Sequence, residues 1–114
     1  MVEGYDGPHQ IFVPYNGKIA DINESDTNKH TLDLASALGE ARKIIAVIIR
    51  ASRVSGTGNF YAYPNEGTTD ESVGEGAGMT KLIVIKDGTQ RLQYAQSVSN
   101  DDWDLFCFGY VVEA

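Results

Sequence analysis

Short runs of β-branched and aromatic residues, separated by Gly, Asn, Asp and Ser, set the rhythm of this chain. Lys18–Ile22 and Thr31-Leu32-Asp33-Leu34 alternate apolar with polar positions, the period of a strand with one face in a core. Three aromatics mark a strand over Asn59–Tyr63, and Trp103–Val112 reads as the last strand. Asp87-Gly88, set between Lys81–Lys86 and Arg91–Ser97, predicts a β-hairpin. Ala35–Arg53 starts with helix-forming composition, but Ile44–Ile49 is β-branched almost without break. Branching at Cβ restricts χ1 on a helix and suits a pleated surface. The segment therefore predicts a helical turn near Ser36–Leu38, a stop at Gly39 and a strand over Lys43–Ser52. Residues 1–17, rich in turn formers and closing on Asn16-Gly17, predict an extended arm around a short strand at Gln10–Val13. Residues 23–29 and 64–78 read as polar loops. Together these elements predict an all-β domain over 18–114, a two-layer antiparallel β-sandwich of jelly-roll-like form.

Three of the predicted strands are apolar on both faces. Strict alternation sets Trp103, Leu105 and Cys107 against Phe106, Phe108 and Tyr110. It likewise sets Ile45, Val47 and Ile49 against Ile44, Ala46 and Ile48, and Leu82 and Val84 against Ile83 and Ile85. A two-layer sandwich offers one core, so a second apolar face needs another cover. No helix long enough to supply it is predicted. A second copy of the chain is the expected cover, with Phe106, Phe108, Tyr110, Ile44 and Ile48 as interface candidates. The arm and the long loops folding back over that face are the alternative.

With 114 residues there is room for one core, and a chain of this size buries about two-thirds of its surface. The net charge of −7 disfavours nucleic acid and anionic membrane as partners. A lone cysteine, Cys107, rules out an internal disulfide and, in its apolar run, reads as a small buried hydrophobe. The N-terminus lacks the basic and apolar regions of a signal peptide, and no apolar run reaches membrane-spanning length, so synthesis in a cytoplasm is expected.

Candidate chemistry is sparse. Gly74–Gly78 matches a phosphate loop in glycine count only, with no following lysine. The carboxylates of Asp101, Asp102 and Asp104, and those of Asp70, Glu71 and Glu75, lack calcium-loop spacing and read as solvated turns. His9 and His30 stand far apart, and no nucleophile motif occurs. No catalytic residue, metal ligand or cofactor is therefore expected, and the chain is read as a non-enzyme. One ligand-binding alternative stays open. Phe60, Tyr61 and Tyr63 would form a platform on which a glycan ring stacks, in a monomeric carbohydrate-binding module.

Leu32–Gly39 runs into an aliphatic strand, Phe60–Gly67 runs from an aromatic strand into Pro-Asn-x-Gly, and Trp103–Val112 closes on an apolar strand containing Gly-Tyr. In these features residues 31–112 resemble small β-domains of tailed-phage structural proteins, as found in fibres and head decorations. The resemblance implies a jelly-roll-like domain that assembles as a homo-oligomer, a trimer favoured, beside capsid or tail proteins of the same particle. It implies location on the virion, and residues 1–17 as an attachment segment. Fibre subunits usually carry several modules and this chain carries one, which points to a separate decoration or head-fibre protein, or to an excised fragment.

Overall fold

The computed structural model describes residues 9–64, 79–85 and 90–114. In chain order the elements are β1 (Gln10–Ile22), β2 (His30–Asp33), α1 (Leu34–Leu38), β3 (Ile44–Ser55), β4 (Phe60–Tyr63), β5 (Met79–Val84), β6 (Arg91–Gln96) and β7 (Asp102–Glu113). They form two antiparallel sheets packed as a sandwich, one of order β1-β7-β3-β5 and the other β2-β6-β4. Odd-numbered strands make the larger sheet and even-numbered strands the smaller, so successive strands lie on opposite sides of the core.

That core follows from the inward rows. Trp103, Leu105 and Cys107 of β7 join Val47 and Ile49 of β3 and Ile83 of β5, each fully buried. The smaller sheet answers with Phe60, Ala62 and Leu92. Phe60 is the contact between layers, its ring 5.5 Å from Trp103 and stacked 5.8 Å from Tyr94. Each of the Val, Ile, Leu and Phe side chains among them contributes roughly 1.5–3 kcal/mol on burial. Burial pushes the Cys107 thiol above its ordinary value, as expected of a small core hydrophobe.

The helical turn is set by its ends. Asp33 accepts the backbone N–H of Ser36 at the start, and Gly39 takes a left-handed φ of 65° at the stop. Beyond it, Glu40 holds Arg42 through two side-chain hydrogen bonds and accepts the Tyr110 hydroxyl at 2.8 Å. These contacts draw Glu40 down to about 2, with Arg42 the main cause, and raise Tyr110 to about 12, with burial the main cause.

Three expectations are corrected. First, the hairpin does not form: β5 pairs with β3 and β6 lies between β2 and β4, in different sheets. Asp87 and Gly88 lie outside the described residues. Leu92 and Tyr94 belong to the layer opposite Ile83, so β6 lies across the core from β5 and not beside it. Second, Asn16-Gly17 ends no arm. β1 runs through it, pairing with β7 from Gln10 to Ile22, with irregularities after Pro14 and after Lys18. Pro14 is tolerated because β1 is an edge strand. Third, alternation breaks in β7. Ile48 pairs with Gly109 but Ile49 with Cys107, so Phe108 is an extra residue bulged from the ladder. Tyr110 and Val112 thereby turn inward, onto the same side as Trp103. A matching irregularity between Ile44 and Ala46 turns Ile44 inward.

Candidate assembly interface

The outer face of the larger sheet is built in rows that run across its strands. Phe12, Val111, Ala46 and Val84 form one row by register. Pro14, Gly109, Ile48 and Leu82 form the next. The side chains stand out because their neighbours in sequence point in: Leu82 and Val84 are 53% and 49% exposed, whereas Ile83 between them is fully buried. Phe12 is 53% exposed and Phe108 36%. Gly109 lets this surface close, since a Cβ there would collide with the Phe12 ring, at a φ of 155°.

Polarity enters toward one end. Lys18, Phe106, Arg50 and Thr80 share a row, and Asp21, Asp104 and Ser52 the row beyond. Asn16, Arg50, Ser52, Phe106 and Phe108 line a shallow groove of about 330 Å³ there. Lys18 bonds Asp21 at 2.8 Å and approaches Asp104 at 3.7 Å. Lys18 draws Asp21 down, while burial and then the hydrogen bond with Asp21 push Asp104 up. Two carboxyl groups thus share one lysine, and among the described residues no carboxylate pairs with exposed Arg50.

Of the expected interface residues, Phe106, Phe108 and Ile48 lie on this face. Ile44 and Tyr110 are core, 0% and 5% exposed, because the bulges reverse their sides. Phe12, Val111, Arg50 and the Asp21–Asp104 pair were missed. The signal was present, since Phe12, Pro14, Asn16 and Lys18 alternate with Val13, Tyr15, Gly17 and Ile19. Taking Asn16-Gly17 for a turn hid it.

Elsewhere the candidate sites dissolve into structure. Phe60 is fully buried between the layers and Tyr63 is 7% exposed beneath Lys29, leaving Tyr61 the half-buried member of the expected platform. Asp101 is 3% exposed and accepts the N–H of Gly58 at 2.6 Å, fixing the β3–β4 turn, while Asp104 stands on the outer face of the larger sheet. His30 contacts Asp26 at 2.7 Å and stacks on Tyr94, whose hydroxyl donates to Glu24. Burial raises Tyr94 well above its ordinary value. Among the described residues no group of three or more metal-ligating side chains converges. Asp70, Glu71, Glu75 and Gly74–Gly78 lie outside them. Comparison with protein-family models, curated proteins and solved structures finds no match to the chain.

Proposed function

We propose that this chain is a non-enzymatic structural module that assembles with copies of itself through the outer face of its larger sheet. The observation that carries the reading is the pair of apolar rows crossing all four strands, from Phe12 to Val84 and from Pro14 to Leu82. At ~3.3 Å per residue and ~4.8 Å between strands, the four strands span roughly 700 Å². A standard interface takes about 800 Å² from each partner, so the whole face, apolar rows and polar end together, has the size that one needs. Service in a phage-like particle, as a decoration or fibre module beside capsid or tail proteins, is supported by the sequence resemblance. A jelly-roll winding is supported by the allocation of odd and even strands to opposite sheets.

Phe108→Glu tests the reading, because a carboxylate there is stranded without a partner only when the face is covered. Light scattering should give a multiple of 12.4 kDa for the wild type at tens of micromolar and a folded monomer for the variant. Thr31→Glu, on the other sheet, should leave the mass of the assembly unchanged. A wild type that is monomeric at that concentration refutes the proposal.

A further inference from the structure

The same face also carries charges that an apolar cover would strand. Arg50 stands one row from Ile48, and Asp104 stands one row further, diagonal to Arg50. Burying a cation or a carboxylate unpaired is costly, so a cover over this end of the face must leave Arg50 a carboxylate within reach. A second copy brings one, provided it is turned correctly.

Resting on the assembly reading above, we infer that the face closes on itself as a two-fold dimer, its axis running along the strands between β7 and β3, with Arg50 of each copy paired to Asp104 of the other. Such an axis lays β7 over β3 of the second copy and β1 over its β5. Each row then falls on itself reversed. Phe12 meets Val84 of the second copy, Val111 meets Ala46, and Phe108 meets Ile48, apolar on apolar throughout. Arg50 falls over Phe106 of the second copy, a cation on an aromatic ring, with Asp104 in the adjacent row within reach of its guanidinium. Asp104, which otherwise shares Lys18 with Asp21, gains a cation of its own. An axis along the strands also gives the aligned packing that twisted sheets adopt face to face. One face used twice closes as a pair, whereas the three-fold ring implied by the resemblance needs two different patches on every chain. The dimer replaces the trimer as the expected unit.

Charge reversal is the test. Arg50→Asp and Asp104→Arg, each alone, should weaken the dimer at least ~10-fold, and the two together in one chain should restore it to within ~3-fold. Circular dichroism checks that each variant folds. An equimolar mixture of Phe12→Cys and Val84→Cys chains should oxidise to the mixed disulfide in preference to either symmetric one. Because Cys107 is buried, the introduced thiols react first. A wild type that dimerises, loses the dimer with Phe108→Glu and ignores both charge reversals overturns this geometry while the assembly reading stands. A trimeric mass, or symmetric disulfides, overturns it equally. A monomeric wild type removes both.

Discussion

The two outer faces of this sandwich are made from the same kind of strand and present opposite chemistry. On the smaller sheet the outward positions left accessible are Thr31, Asp33, Tyr61, Arg91 and Gln93, none of them a large aliphatic, while Tyr63 and Ala95 on the same side are buried. On the larger sheet they include Phe12, Ile48, Leu82, Val84, Phe108 and Val111. Folding explains one of these faces. A sheet needs one apolar face to close a core, and the smaller sheet stops there. The larger sheet carries apolar surface that contributes nothing to burying Trp103 or Phe60. It is the surface that the proposed assembly would cover.

Three experiments sharpen or break this contrast. The largest effect is expected from Trp103→Ala, which empties the space shared by both sheets. It should cost about 3–5 kcal/mol in denaturant titration, with both sheets melting in one transition. Separate melting of the sheets would mean that the two faces do not belong to one cooperative body. Next, Gly109→Ala strains the bulge that sends Phe108 out and Tyr110 in, and it drives a Cβ against the Phe12 ring. A loss of about 1–3 kcal/mol is expected. Truncating the ring as well, with Phe12→Ala, should recover the steric part only. Full tolerance of the single substitution would refute the bulge as the device that divides the faces.

The smallest effect belongs to Glu40, which tethers inward-turned Tyr110. Its pKa falls from 4.5 to about 2 on folding, so the folded state favours the carboxylate. Its contribution is complete above about 4.5 and is lost as pH falls through about 2. The gap in melting temperature between wild type and Glu40→Gln should therefore be constant near neutrality and close as pH falls from about 5 toward 2. A gap independent of pH would refute a carboxylate held ionised between Arg42 and Tyr110.

Strand positions were largely legible because composition decides them locally. Ile44–Ile49 could hardly be anything else, and β3 begins at Ile44. Face assignment was legible only where alternation is unbroken. Leu82 and Val84 come out as read, since the β5 pairing with β3 carries no register shift. Past Phe108 it failed, because a bulge is one residue of ladder geometry with no composition of its own. Gly109 was its sole trace, and glycine marks turns as readily as bulges. The hairpin failed for another reason. Asp87-Gly88 specifies that a chain reverses, whereas which sheet receives the next strand is decided by long-range burial. Arg50 and Asp104 were invisible as a pair because nothing in a sequence says that two surface charges share a face.

Pairing between the first and last strands has a consequence during synthesis. β7 lies between β1 and β3 and hydrogen-bonds to both, yet it leaves the ribosome after every other strand. Until residue 113 has emerged, the larger sheet lacks its central ladder, and β1 waits unpaired along its whole length. No subset of earlier strands makes a partial version of that sheet beyond the β3–β5 pair. The nascent chain therefore exposes its stickiest segments for as long as translation lasts, at a time when other nascent copies are nearby. Residues 1–100 carry 12 acidic and 9 basic side chains, a net −3 against −7 for the whole chain, so most of the repulsion between copies arrives only with residues 101–113.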